Sequence, residues 1–379
     1  MKKSDNIYFA LLRSALWGNV ECDATNVDWD EVIDIACRQT TLGLICDVAL
    51  RSKAGQFLPE AKKAVLRQQL LTLAMSHHSF NATIARIVKA LRDKGIESVL
   101  MKGQGLAANY PVAELRQCGD IDLYVGKENY EAACALADTL ASEAETVDSS
   151  ELVTHYHIVI DGIEVEIHRL TSWPNYNELD AIYDPYSEKG MAIGSSSMMI
   201  NGVNVWLPAD TFNALFVFLH AWKHFIYAGI GFRQMCDWTM LLHAKRDTID
   251  RDELADIVRR LRLMDGWQVF GCIAVDWLGL PTDEMPFYDA KFRKRAKRAV
   301  GMILKEGNFG HEWSLVRRRS QQTGMKHRLS VFLGIQVRQW RLFWVFPKIA
   351  LHRYREEMRG RTKKNMGRLA TKIRKLWTK

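Results

Sequence analysis

The spacing of hydrophobic positions changes twice along the chain. Between residues 5 and 95 apolar side chains recur at i, i+3, i+4 and i+7, in stretches near Tyr8–Leu16, Asp30–Leu50 and Ala61–Lys94. That is the spacing of helices burying one face. The last stretch stops at Gly95, a residue type common just past a helix C-terminus. From 96 to 207 the pattern shortens. "SVLM" (98–101) predicts a strand, "KGQG" (102–105) a turn, "LAANY" a short helix stopped by Pro111, and "DIDLYV" (120–125) a second strand. Lys127–Leu140 returns to helical spacing. "LVTHYHIVI-DG-IEVEIHRL" then alternates on both sides of Asp161-Gly162, and "SMMI-NG-VNVWL" on both sides of Asn201-Gly202. Asp-Gly and Asn-Gly between alternating runs are the strongest short-range hairpin signal. From Asp210, taken as an N-cap, "TFNALFVFLHAWKHF", Arg233–Lys245 and Asp252–Arg262 predict helices again.

The expected fold is therefore α+β: a small mixed sheet with helices, flanked by N- and C-terminal helical regions. The expected boundaries are 1–95, 96–207, 208–310 and 311–379. A chain of 379 residues has room for two or three domains. No window reaches the ~20 unbroken apolar residues of a spanning helix. The N-terminus lacks the charged, apolar and small-residue succession of a secretory signal. Seven scattered cysteines (22, 37, 46, 118, 134, 236, 272) form no CxxC pair, which points to reduced thiols in a cytoplasmic protein and away from a zinc knuckle.

Charge divides the chain unevenly. Residues 317–379 hold 19 Lys/Arg and two acids, Glu356 and Glu357, a net of +17 against +8 for the whole chain, so the remainder carries −9. Within that basic end, "RLSVFLGIQVRQWRLFWVF" (328–346) sets Leu333, Val337, Trp340 and Trp344 on one helical stripe, closed by Pro347. Such a stripe either packs on the helical body, the favoured expectation, or lies on an anionic membrane surface, which would make the protein peripheral to it. The tail from 359 to 379 reads as a solvated cationic segment.

Candidate chemistry begins at "CGDIDLYV" (118–125). Asp is depleted in strands, yet Asp120 and Asp122 stand two apart, hence on one face, with Ile121, Leu123 and Val125 on the other. On its own the DxD reads equally well as the solvated side of an edge strand. As a functional pair it needs a cation between the carboxylates, and Mg²⁺ takes oxygen ligands of this kind together with substrate phosphates. "IEVEIH" offers Glu164, Glu166 and His168 on one face, so Glu166 meets the aspartates if the two strands pair. Without metal the carboxylates would repel, and neutralising both aspartates is expected to stabilise the metal-free protein.

"VLMKGQGLAANYPVAELRQCGDIDLYV" (99–125) resembles the signature of the uncharacterised nucleotidyltransferase family within the DNA polymerase beta-like superfamily. "VEIHRL" (165–170), "LHAWKHF" (219–225), "FRQMCDW" (232–238) and "FPKIALHRYR" (346–355) are similar to its later blocks. The resemblance implies a polymerase-beta-like core and transfer of a nucleoside monophosphate from an NTP to an acceptor. Polysaccharide or cell-surface biosynthesis is a frequent setting of that family. It further implies that Asp120, Asp122 and Glu166 are the catalytic carboxylates and the ligands of two Mg²⁺. Lys102 and Gly103 would seat the triphosphate, with Arg116, Lys223 and His224 as further nucleotide-binding candidates. Two departures from the wider superfamily stand out: Lys102-Gly103, which matches the family's variant form, where many superfamily members have Gly-Ser, and Glu at 166 where Asp is commoner. Gly103→Val is expected to weaken NTP binding while leaving unliganded stability nearly unchanged, and residues 328–379 to be dispensable for that binding.

Bland readings stand beside these. Arg116 reads equally as an exposed loop residue, and His168 either orients Glu166 or, as slightly favoured, is a core histidine. Asp237 reads as an i, i+4 partner of Arg233, and Cys118 shows no base for thiol chemistry. His220 and His224 at i, i+4 lack the glutamate of a zinc HExxH site. A non-catalytic nucleotide-binding or membrane-surface protein retaining the fold is the alternative; nucleic acid is a weaker candidate partner, through the tail.

Overall fold

The computed structural model describes residues 2–18, 27–141, 154–171, 177–308 and 325–355. The start of the first hairpin (152–153), the side chain of Leu333 and the cationic tail (359–379) lie outside the described residues.

Helices α1 (Lys3–Trp17), α2 (Trp29–Arg38), α3 (Leu42–Arg51) and α4 (Glu60–Asp93) precede a six-stranded sheet. The sheet is built from β1 (Val99–Met101), β2 (Asp120–Tyr124), β3 (His155–Ile160), β4 (Ile163–His168), β5 (Ser196–Ile200) and β6 (Val203–Leu207). Between strands lie α5 (Gly103–Ala107), α6 (Gly126–Leu140) and α7 (Asn177–Gly190). Helices α8 (Asp210–Tyr227), α9 (Phe232–Ala244), α10 (Arg251–Arg260), α11 (Met264–Asp276), α12 (Arg293–Glu306) and α13 (Met325–Val345) follow, and α14 spans 347–355. The α+β class with flanking helices is as expected.

Strand order is β3-β4-β2-β1-β6-β5. β2 runs parallel to β4 and β1 parallel to β6, while the other neighbours are antiparallel. Both hairpins turn where the sequence placed them. Asp161 and Gly162 have φ of 55° and 75°, Asn201 and Gly202 of 47° and 78°, the paired positive φ of a type I′ turn. Asp161 also accepts from Thr83 and Arg86, which ties the first hairpin to α4.

The sheet separates two cores. Ile121, Leu123, Val165 and Ile167 project with Leu100 onto the second half of α4 and onto α6. Val99 and Met101, on the opposite face, join a larger core drawn from α1–α3 together with α8–α13. The first and last helical regions thus share one interior. Gln39, fully buried, stitches them: its Nε2 donates to Ile303 O (3.1 Å), while its Oε1 accepts from Phe232 N (3.1 Å) and its carbonyl from Arg233 N (3.2 Å).

Four local expectations change. The stretch Asp30–Leu50 is two helices, broken at Thr40, whose φ is 56°. The short helix begins at Gly103, so the expected four-residue turn shrinks to Lys102. Ala209 rather than Asp210 is the N-cap of α8; Asp210 accepts instead from Thr248 (2.7 Å) and pairs with Lys245 (3.1 Å). Lastly, the stripe on α13 does not pack: Val337, Trp340 and Trp344 are 49, 63 and 47% exposed. The buried face carries Arg338, Leu342 and Val345. Arg338 donates to Glu306 (3.0 Å), itself 3% exposed, and to the carbonyls of Phe225 and Ile226. A buried charge without a partner costs more than an uncovered ring, so this pair sets which side of α13 turns inward.

Candidate active site

Register decides which carboxylates meet. β2 and β4 align Asp120 with Glu164, Asp122 with Glu166 and Tyr124 with His168. Asp120, Asp122 and Glu166 therefore stand on one sheet face, as expected, with Asp122 fully buried and Glu166 24% exposed. Strand β3 adds His155 opposite His168, and His155 Nε2 lies 4.0 Å from Glu166 Oε1.

Asp122 already has counter-ions. Lys102 Nζ lies 2.9 Å and His168 Nε2 3.0 Å from its Oδ1, and His168 Nε2 also lies 3.0 Å from Glu166 Oε2. The favoured reading of His168 as a simple core histidine is thus wrong: it is buried, but as a bridge between two carboxylates. Burial alone would raise the Asp122 carboxyl, yet the Lys102 charge and the His168 hydrogen bond hold it well below the usual range. Glu166 is likewise lowered, burial being outweighed by its bond to His168. Lys102 and His168 are raised against burial, chiefly by Asp122 in both cases. Asp120 goes the other way: burial and then the Asp122 charge raise it.

Lys102 reaches Asp122 from an unusual backbone, φ 50° and ψ −136°, directly before α5. Gly103 follows at φ 41°, where an added Cβ would lie 3.5 Å from Asp120 O and from Cys118 Sγ. A valine there is strained by its backbone whatever the space. Gly103→Val should therefore lower the unliganded thermal midpoint, by about 1–3 kcal/mol of stability, correcting the expectation of near-neutrality. Equal midpoints for the two proteins would contradict this.

Lys102, Gly103, Asp120, His155, Glu166 and His168, though not the fully buried Asp122, line a cavity of ≈ 360 Å³ whose other wall comes from α8 and α9: His220, Lys223, His224, Arg233 and Asp237. Lys223 and His224, retained from the sequence, do reach it. Burial and then the Lys102 charge lower all three cationic groups of α8: Lys223 below its usual value, His224 to about 4 and His220 well below its normal range. The sign for stability follows. A histidine lowered in the folded state lets only the unfolded chain take up protons, so its contribution is intact above 6.5 and is lost as pH falls toward about 4. Melts across that window should show a decline that His224→Asn makes shallower; an unchanged slope would remove His224 as its source.

Arg116 also lines the cavity. It is 6% exposed, so the exposed-loop reading fails. Its Nε and Nη2 donate to Asp237 at 2.9 and 2.8 Å, and Tyr110 adds a third bond to Asp237 at 2.7 Å. Asp237 is therefore the partner of Arg116, not of Arg233, whose Nη1 donates to Gln117 O. Burial would raise the Asp237 carboxyl, but Arg116 holds it down. Arg116 keeps one donor, Nη1, buried and without a protein acceptor.

Two features bear on metal. Asp122 Oδ2 is buried and has no hydrogen-bond partner, an arrangement that costs free energy unless a cation or donor fills it. Among the described residues, His155, Glu166 and His168 also bring ligand atoms within 4.8 Å of one another. An all-oxygen set from Asp120, Asp122 and Glu166 suits Mg²⁺, whereas the imidazole-bearing set suits a softer divalent ion. The residues fit a divalent cation. Sequence reasoning missed His155, although a two-residue Asp-Gly turn fixes the register that puts it opposite His168.

A family model described as an uncharacterised nucleotidyltransferase matches residues 25–279. Searches of curated proteins and of solved structures return no match.

Proposed function

The chain belongs to the uncharacterised nucleotidyltransferase family, and from that premise we propose that its cavity transfers a nucleoside monophosphate from an NTP to an acceptor with the help of Mg²⁺. The observation that carries this reading is the facing of Asp122 and Glu166 across β2 and β4, with Asp120 on the same face and Lys223 and Arg233 on the opposite wall.

Asp120, Asp122 and Glu166 would hold two Mg²⁺, with the unpartnered Asp122 Oδ2 as one donor. When bound, such cations stabilise charge on the phosphates and make a deprotonated acceptor oxygen accessible at neutral pH. The chain's own residues supply the rest. Lys102 and the N–H groups opening α5 offer positive charge to a phosphate, and Arg116 Nη1, which lacks a protein acceptor, offers a further donor. Lys223 and His224 extend that wall. With a triphosphate bound, their lowered pKa values should rise, since an anion favours the protonated forms. In the nucleotide-free protein Lys102 and His168 neutralise the carboxylates; on loading, Lys102 would be released toward the phosphates. An acceptor in polysaccharide or other cell-surface biosynthesis would fit a frequent setting of the family.

One observation favours a second reading. Because Lys102 and His168 already offset the Asp122 charge at Oδ1 without metal, leaving only Oδ2 without a partner, the same arrangement is compatible with a non-catalytic nucleotide-binding protein. Thermal melts with ATP, GTP, CTP or UTP, each with and without Mg²⁺, separate the two. Catalysis requires an upward shift that depends on Mg²⁺, equivalent to about 2.7 kcal/mol at a ligand concentration 100 times Kd. A nucleotide shift indifferent to Mg²⁺ leaves the binding protein. Repeating the titration with Mn²⁺ shows whether the imidazole-bearing set is used.

A further inference from the structure

A second feature lies away from the cavity. Val337, Trp340, Phe343 and Trp344 of α13, with Leu351 and Tyr354 of α14, are each between 38 and 63% exposed. The three aromatic rings of α13 contact one another, with centroids 5.7–6.0 Å apart. Between the two helices runs a shallow groove of ≈ 230 Å³ whose walls include Trp340, Phe343, Leu351 and Tyr354. The exposure follows from packing: Arg338, Leu342 and Val345 commit the opposite face of α13 to the protein.

Positive charge lies beside the patch. Arg298 of α12 sits 5.5 Å from the Trp344 ring centroid and donates to Trp344 O at 3.1 Å. Lys348 and Arg355 on α14 are exposed. The chain from 317 onward carries +17 against −9 for the rest, so the attraction belongs to the end that bears the aromatics. None of the described helices is long and apolar enough to cross a membrane.

Aromatic rings with polar handles beside arginine and lysine match the boundary between lipid headgroups and acyl chains. An apolar protein partner would account for the rings but not for the positive charge beside them, and a polyanion such as RNA for the charge but not for the aliphatic side chains. We propose that this surface, formed by α13 and α14, docks on an anionic lipid membrane, with Trp340 and Trp344 inserted at the interface. The inference stands apart from the nucleotidyl-transfer reading, although Arg338 fastens α13 to the last turn of α8, the helix that supplies Lys223 and His224 to the cavity.

The test is cosedimentation of the full chain with vesicles of phosphatidylcholine, alone or mixed with phosphatidylglycerol, at low and high salt. Binding is expected only to the mixed vesicles, weakening with salt as the charges are screened. Trp340→Ser with Trp344→Ser should cut it at least about tenfold, because each ring contributes burial of its own. Both rings are exposed, so the thermal midpoint of the double variant should match the parent. Equal binding by the double variant would show that the basic tail acts alone and would overturn the docking surface, as would equal binding to uncharged vesicles or none to either. A concentration-dependent dimer abolished by the same substitutions, with no vesicle binding, would assign the patch to a second copy of the chain and overturn it too.

Discussion

Asp120→Asn should give a folded protein that no longer responds to Mg²⁺ and nucleotide, while Asp122→Asn should be hard to fold at all. The two aspartates are sequence neighbours on one strand face, yet their surroundings differ in sign. Asp120 is ionised at a cost, its carboxyl raised by burial and by the Asp122 charge. A raised acid lets the folded state hold its proton more tightly, so stability falls as pH rises past the ordinary carboxylate value, and neutralising Asp120 removes that cost. Nucleotidyl transfer should drop by more than about 100-fold, since loss of even an outer partner of a metal ligand costs 10–100-fold. Asp122 is the acceptor on which Lys102 and His168 converge, and its carboxyl is lowered. Removing its charge takes from Lys102, 17% exposed, its nearest counter-ion and leaves only the more distant Asp120 and Glu166, at up to about 3–5 kcal/mol. The expectation that neutralising both aspartates would stabilise the metal-free protein is therefore kept for Asp120 and revised for Asp122, whose counter-ion in the metal-free protein is Lys102. Melts of both single variants in EDTA and in Mg²⁺ with nucleotide check the pair. A Mg²⁺-dependent shift surviving in Asp120→Asn would remove that residue from the site.

The Arg116–Asp237 pair carries the second large effect. Both side chains are about 5% exposed and joined by two parallel bonds, with Tyr110 on the same carboxylate. Breaking one partner should cost about 3–5 kcal/mol, whereas replacing both by apolar groups of similar volume is often nearly neutral. Asp237→Asn should therefore melt well below the parent, and Arg116→Met with Asp237→Leu should recover most of the loss. A pair acting only as structure would leave nucleotide binding intact in that double variant. If Nη1 of Arg116 meets a phosphate, affinity should fall by about 10–100-fold, the worth of a charged hydrogen bond. The pair's stability should persist above the ordinary carboxylate pKa and fade as pH drops through the lowered value of Asp237.

What could be read from the sequence was local or periodic. Alternation and two-residue turns fixed both hairpins, and period two put Asp120 and Asp122 on one face and Glu166 on that of its own strand. The same arithmetic contained His155, since a turn at 161–162 pairs 160 with 163 and so 155 with 168. Partnerships across long separations were out of reach: Asp237 lies 121 residues from Arg116. Lys102 as counter-ion depended on a backbone turn at positive φ that a lysine seldom adopts. For α13 the period identified the stripe but not its direction, because the deciding residue, Glu306, sits 32 positions upstream of Arg338. Helix α7 was hidden by Pro185 inside it.

Gln39 has a consequence for how the chain is made. Its carboxamide is satisfied only by backbone that lies 193 and 264 residues further along, and the interior of α1–α3 is completed by helices of the same late segment. At synthesis rates of about 5–20 residues per second, the first of those partners emerges roughly 10–40 s after Gln39. During that interval α1–α3 can pack on one another and on α4, but the side that the late helices complete is uncovered, a condition in which nascent chains aggregate or engage chaperones. Helices α1–α3 are thus synthesised well before the helices that complete their interior.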